Sequence, residues 1–129
     1  MAYYCSKRLS MPYDDAVQRT RDALKQAGFG VLTEARVDAV MREKLGDDGQ
    51  MAPYIILGAC SPRHAYQALQ AEPLIGLMLP CNVVVRQDGD EVEVAAIDPI
   101  ASMQAVQNAS LGEVAVEVRD RLRGMIDSL

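Results

Sequence analysis

The chain has 129 residues, half of them apolar and about a quarter charged, with a formal net charge of −5. This composition is typical of a soluble protein that buries its core in one domain, residues 1–129. The basic residues are scattered among acidic ones and tryptophan is absent, which argues against a nucleic-acid partner. No apolar run is long enough for a membrane span, and the N-terminus lacks the order of a signal peptide. We therefore expect a cytoplasmic protein, and the odd number of cysteines, three, fits that reducing compartment.

The first half of the chain alternates strand and helix patterns before a polar loop at 47–53. Proline is favoured in the first turn of a helix, glycine after its last turn and aspartate at its N-cap, so Pro12, Gly28 and Asp38 predict helix boundaries. The predicted elements are a strand at 2–9, a helix from about 12 to 27, a strand at 29–36 and a short helix from 38 to 46.

The segment YIILGAC, residues 54–60, is rich in β-branched residues and predicts a buried strand. A helix should follow, with Ser61 as its N-cap and Pro62 in its first position. Its inner face is predicted to carry Ala65, Tyr66 and Leu69, and Pro73 lies just beyond its end.

Residues 74–86 form one long apolar stretch that Pro80 interrupts. Apolar side chains occupy both parities of this stretch, so both faces of the strand need to be covered. The turn at 87–90 leads into a strand at 91–97, in which Val92, Val94 and Ala96 should face the core. A second subunit could cover the remaining face, and we expect a homodimer.

The C-terminal part of the chain predicts two helices. Asp98 and Pro99 open a short helix that runs through Val106, and Ser110 with Glu113 has the pattern of a capping box at the start of the last helix. The element order predicts an α+β fold with a mixed or antiparallel sheet and helices packed on it.

Several runs resemble the domain-of-unknown-function family 302: AGFGVLTEARV, PYIILGACSP, AYQALQAEPLIGLMLPCNVVV and VAAIDP. The family comprises small bacterial and archaeal domains. The resemblance implies a curved sheet with helices on one side, similar to the TATA-binding-protein fold, and a dimer, but no activity. Cys60 and Cys81 belong to the family pattern, whereas Ser61 stands where asparagine is more frequent and a histidine at position 64 is not part of the pattern.

Cys60, Cys81 and His64 are the candidate ligand-binding residues. Cys60 directly precedes a helix start that carries Arg63 and His64, which favours a thiolate. Alternatively, both cysteines are small apolar residues that fit tight corners of the chain. A soft-metal site formed by Cys60, Cys81, His64 and Met78 is a third reading, although the spacing of twenty-one positions between the cysteines matches no zinc motif.

No catalytic constellation, resident metal or cofactor is predicted, because the chain has one histidine and no G-x-S-x-G elbow. We expect a non-enzymatic dimeric module that binds a small ligand or a partner in the concave face of its sheet. The alternative is a thiol-dependent protein of sulfur, redox or soft-metal handling, with Cys60 as the reactive group and Cys81 as the resolving group or co-ligand.

Overall fold

The computed structural model describes residues 2–129, so that Met1 of the predicted domain lies outside the described residues. Within this range the chain forms five strands, five α-helices and two short 3₁₀ helices. The strands are β1 (Tyr4–Leu9), β2 (Gly30–Arg36), β3 (Tyr54–Cys60), β4 (Cys81–Asp88) and β5 (Glu91–Ile97). The α-helices are α1 (Tyr13–Gln26), α2 (Val37–Leu45), α3 (Pro62–Ala71), α4 (Pro99–Ser102) and α5 (Leu111–Asp127), and the 3₁₀ helices are Gly46–Gly49 and Pro73–Met78.

All five strands belong to one sheet in the order β1-β5-β4-β3-β2, and every neighbouring pair is antiparallel. The register pairs Leu57 with Val83 and Ala59 with Cys81 across β3 and β4. Because paired residues point to the same face of a sheet, these side chains form rows on one side. The α+β prediction is confirmed, with the antiparallel form of the sheet.

The helices α1 and α5 contribute to the core on one face of the sheet. Val92, Val94 and Ala96 of β5 point into this core and are completely buried, as their alternation predicts. Leu24 of α1 and Leu122 of α5 belong to the same cluster. Each side chain of this size contributes about 1.5–3 kcal/mol when it is removed from water.

The opposite face of the sheet carries a row of half-buried apolar side chains, Ile56, Val84 and Ala95, which the strand register places side by side. A shallow depression of about 330 Å³ lies on this face and includes Val84 and Ala95. Beside the row, Arg86 forms a salt bridge with Glu93 at 2.8 Å. This open face is less strongly buried than the face that packs on α1 and α5.

The apolar stretch at 74–86 is not one strand. Its first part forms the 3₁₀ helix Pro73–Met78, and β4 begins only at Cys81. The peptide bond between Leu79 and Pro80 is cis. Proline has no N–H for the hydrogen-bond ladder of a sheet, so the strand starts after Pro80 and the prediction of a continuous element was wrong.

The predicted helix ends are partly confirmed. Gly28 follows α1 with φ of 88°, a conformation that suits glycine, and the Asp98 carboxylate accepts a hydrogen bond from the Ile100 amide at the start of α4. This helix ends at Ser102 rather than at Val106.

Two predicted N-caps were wrong, because the groups involved have other hydrogen-bond partners. Asp38 lies inside α2, and its carboxylate accepts from the Tyr54 amide at 3.2 Å. At α5 no side chain caps the helix, and the Ser110 amide instead donates to Asn108. Among residues 2–129, no helix is long and apolar enough to cross a membrane.

Candidate functional site

An apolar cavity of about 300 Å³ lies where β3 ends and β4 begins. The helices α3 and α5 and the segment around Pro80 enclose it. Its lining consists almost entirely of hydrocarbon and sulfur: Phe29, Leu32, Ala59, Cys60, Ser61, His64, Ala65, Ala68, Leu69, Gly76, Leu79, Pro80, Cys81, Pro99, Met103, Val114, Ala115 and Val118. All three candidate ligand-binding residues line this one cavity.

The position of α3 explains which side chains reach the cavity. His64 and Ala68, one turn apart, are the buried residues of this helix, whereas Tyr66 and Leu69 are 66% and 40% exposed. The predicted inner face, with Ala65, Tyr66 and Leu69, was therefore rotated from the observed one. An apolar pattern could not reveal this, because the most buried position of the first turn holds a histidine.

A chain of hydrogen bonds connects three polar side chains at the cavity wall. The Ser61 hydroxyl lies 2.7 Å from His64 Nδ1, and His64 Nε2 lies 2.6 Å from Glu117 Oε2 of α5. A carboxylate can only accept, so Nε2 of the neutral ring carries the proton and donates to Glu117. Nδ1 is then an acceptor, and the Ser61 hydroxyl donates to it.

Ser61 occupies the N-cap position of α3, as predicted, but its side chain does not cap the helix. The hydroxyl bonds to the His64 ring instead of accepting from a backbone amide. Consequently no side chain satisfies the first-turn amides of α3, which retain the partial positive charge of a helix N-terminus. Ser61 and His64 are both buried, at 8% and 6% exposure, while the Glu117 side chain is 62% exposed.

Cys60 and Cys81 are free thiols on the neighbouring ends of β3 and β4. Burial raises the pKa of Cys60 above its ordinary value. Burial, and to a smaller extent the nearby Cys60, raises the pKa of Cys81 to about 11. The prediction that Cys60 favours a thiolate was wrong, because desolvation of the thiol outweighs any benefit from the adjacent helix start.

A metal site formed by these residues would need several ligands around one point. In the described part of the chain, residues 2–129, no group of three or more His, Cys, Asp or Glu side chains is arranged to hold a metal ion. Cys60, Cys81 and His64 share the cavity without forming such a group.

Glu117 is the functional candidate that the sequence could not reveal. It is separated from His64 by 53 positions and lies on the exposed side of α5. In the sequence it is one of two glutamates in the valine-rich run EVAVEV, residues 113–118, and no spacing connects it to His64. The lining residues Phe29, Met103 and Val118 were likewise recognisable only as core candidates.

Comparisons with known proteins agree with the fold. A family model described as "Domain of unknown function DUF302" matches residues 5–129. No curated protein matches the sequence. Among solved structures, the chain is similar to the uncharacterized conserved protein DUF302 from Bacillus stearothermophilus, with 28% sequence identity, a TM-score of 0.89 and 98% of each chain covered. The resemblance seen in the sequence is thereby confirmed.

Proposed function

Because the chain belongs to the DUF302 family, whose description assigns no function, we propose a function from the geometry of the cavity: the protein binds one small, largely apolar molecule there. The observation that carries this proposal is the almost wholly apolar lining at the junction of β3, β4, α3 and α5. Small-molecule sites are typically concave and apolar, with few polar groups that orient the ligand. Ser61 and His64 are those polar groups here.

The size of the cavity limits the ligand. A volume of about 300 Å³ lies at the lower end of the range for small-molecule sites, roughly 300–1,000 Å³. Water gains few hydrogen bonds against such a wall, so an apolar occupant is favoured over solvent. The ligand is therefore a short-chain or single-ring molecule with one polar group, rather than a nucleotide or a sugar.

Calorimetric titration with straight-chain alcohols and carboxylates of increasing length tests this proposal. We expect binding with a negative heat-capacity change, because apolar surface is buried. Ala65→Leu adds side-chain volume to the cavity wall and should weaken binding at least tenfold. Gln70→Leu adds the same side chain on the exposed side of α3 and serves as the control. Equal affinity of the Ala65→Leu variant would place the ligand elsewhere.

The thiol-dependent alternative has weaker support. Both cysteines line the cavity, but burial raises the pKa of both thiols, whereas a reactive thiol needs a lowered pKa. We assign them to packing at the two strand ends. Their free state fits a reducing compartment.

We further propose that a second copy of the chain covers the open face of the sheet. Ile56, Val84 and Ala95 form an apolar row there, and the adjacent charges of Arg86 and Glu93 already neutralise each other, so two copies can meet without repulsion. Sedimentation equilibrium should give a dimer for the native chain and a monomer for Val84→Arg. A folded Val84→Arg variant that remains a dimer would contradict this interface.

A further inference from the structure

We propose that Ser61 is a nucleophile for acyl transfer, that His64 is its general base, and that Glu117 positions the imidazole. This inference rests on the proposed binding function, because the cavity would hold the acyl part of the substrate. The substrate class is carboxylic esters with a short apolar acyl chain, and the reaction is their hydrolysis.

The three side chains have the geometry of an activated serine. A nucleophile, a base and an orienting group within hydrogen-bond reach form the arrangement that activates serine in unrelated folds. Here the two distances are 2.7 Å from Ser61 to His64 and 2.6 Å from His64 to Glu117. With Nε2–H donating to Glu117, Nδ1 is the atom that can accept the Ser61 proton.

The environment of the Ser61 hydroxyl also favours acyl transfer. It lies at the start of α3, where the first-turn amides have no capping side chain. Pro62 has no N–H, so the amides of Arg63 and His64 are the available donors near the hydroxyl. Backbone amides at a helix N-terminus stabilise an oxyanion, which forms when a hydroxyl attacks a carbonyl carbon.

Ser61 and His64 border two spaces. On one side they line the apolar cavity. On the other side they border an open surface groove that also includes Arg63 and Arg121. In the described part of the chain neither arginine forms a salt bridge. The acyl chain fits the cavity, and the groove suits a negatively charged leaving group.

Hydrolysis by this route needs no reactant other than the ester and water. The Ser61 hydroxyl oxygen bonds to the ester carbonyl carbon while its proton passes to His64 Nδ1. The bond from that carbon to the leaving oxygen then breaks, and His64 returns the proton to the leaving alkoxide. Water attacks the acyl-serine with His64 again as base, which releases the carboxylic acid and restores Ser61.

A purely structural role of the same hydrogen bonds has to be separated from catalysis. Ser61 and His64 hold the N-cap and N3 positions, where side chains often stabilise a helix start. Two substitutions replace these hydrogen bonds with side chains that can themselves stabilise the helix start. Ser61→Asn keeps a good N-cap residue but removes the nucleophile, and His64→Gln creates a capping-box pattern but removes the base. Ser110→Ala, at the N-cap of α5 and outside the cavity, is the matched control.

The experiment measures hydrolysis of para-nitrophenyl butanoate and labelling by a fluorophosphonate, followed by peptide mapping. We expect the label on Ser61, no label in Ser61→Asn and native labelling in Ser110→Ala. His64→Gln should lower kcat/KM by roughly 10²- to 10⁴-fold. Glu117→Gln keeps a hydrogen-bond acceptor without the charge, so kcat should fall roughly tenfold with KM unchanged.

The preference for a negatively charged leaving group is tested with two esters that differ only in the charge of that group. The butanoyl ester of a hydroxy-nitrobenzoate carries a carboxylate on its leaving group, and it should be preferred over the uncharged ester until Arg121 is changed to Gln.

Labelling at another residue, or a Ser61→Asn variant that hydrolyses the ester at the native rate, would overturn the proposal. Alcohol binding by Ser61→Asn distinguishes the two levels of inference. Retained binding together with native-rate hydrolysis refutes only the acyl-transfer step. Binding that is absent in the native chain refutes the proposed function itself.

Discussion

The reactivity of the thiols provides a direct test of the electrostatics at the cavity. Burial and the neighbouring Cys60 raise the pKa of Cys81 from 9.0 to about 11. At about pH 8 this lowers the thiolate fraction from about 10% to about 0.1%, a factor of about 100. Since the thiolate is the form that reacts, Cys81 should be alkylated about 100-fold more slowly than a thiol of the unfolded chain. Its 7% exposure slows the reaction further.

Labelling with iodoacetamide between about pH 7 and pH 10, followed by peptide mapping, measures this rate for each cysteine. Cys60 also has a raised pKa but is half-buried, so it should react faster than Cys81 and more slowly than in urea. Both rates should increase about tenfold per pH unit up to about pH 9. A Cys60 rate that is fast near neutral pH and independent of pH would show a thiolate, and would refute the assignment of the cysteines to packing.

Three further predictions concern stability and can be checked by urea unfolding. Because the pKa of Cys81 is raised in the folded state, the contribution of this thiol to the free energy of unfolding is fully present below about pH 9 and is lost as the pH rises through about 11. Between about pH 8 and pH 10 the native chain should lose about 1 kcal/mol of stability that Cys81→Ala does not lose. Gly58→Ala places a methyl group 2.6 Å from the Pro80 ring and against the Thr33 hydroxyl, which should cost about 1–3 kcal/mol; native stability would mean that the Pro80 segment yields easily. Leu122→Ala truncates a core side chain that is 1% exposed, and we expect the free energy of unfolding to fall by about 2–5 kcal/mol. A smaller loss would indicate that α5 shifts to fill the space left by the leucine.

Alternating or β-branched runs made the strands predictable. In β5 the parity of Val92, Val94 and Ala96 determines which side chains reach the core, and a shift of one residue would bury Glu93 instead. Local sequence is sufficient to predict the core-facing side of β5, because the same face of the strand packs on the helices along its whole length.

Helix ends were less predictable, because one polar side chain can serve several partners. Ser61, Asp38 and Ser110 all have N-cap chemistry, but at none of the three does the side chain cap a helix. Ser61 bonds to His64 and Asp38 to the Tyr54 amide. The His64 ring is a local competitor within the same helix turn, whereas the Tyr54 amide reaches Asp38 only through the tertiary structure, so propensity alone cannot choose among these partners.

The candidate site could be predicted only in part, because some of its features depend on tertiary packing. The proximity of Cys60 and Cys81 follows from β3 and β4 being neighbours, which an antiparallel reading of the chain allows. The pKa of their thiols does not follow, because it depends on burial by α3, α5 and the segment around Pro80. Glu117 reaches His64 only through the packing of α5 beside α3.

The energetics of the Ser61–His64–Glu117 chain favour a functional origin. The Glu117 side chain is 62% exposed, and pairs at such sites contribute at most about 1 kcal/mol. The hydrogen bonds of the buried imidazole offset its desolvation without adding much beyond that. An apolar side chain at position 64 would match the remaining lining and bury more hydrocarbon. Apart from Ser61, the other buried positions of this wall hold apolar side chains, whereas position 64 holds a polar group that stabilises little. Such departures from an apolar core concentrate at sites of function.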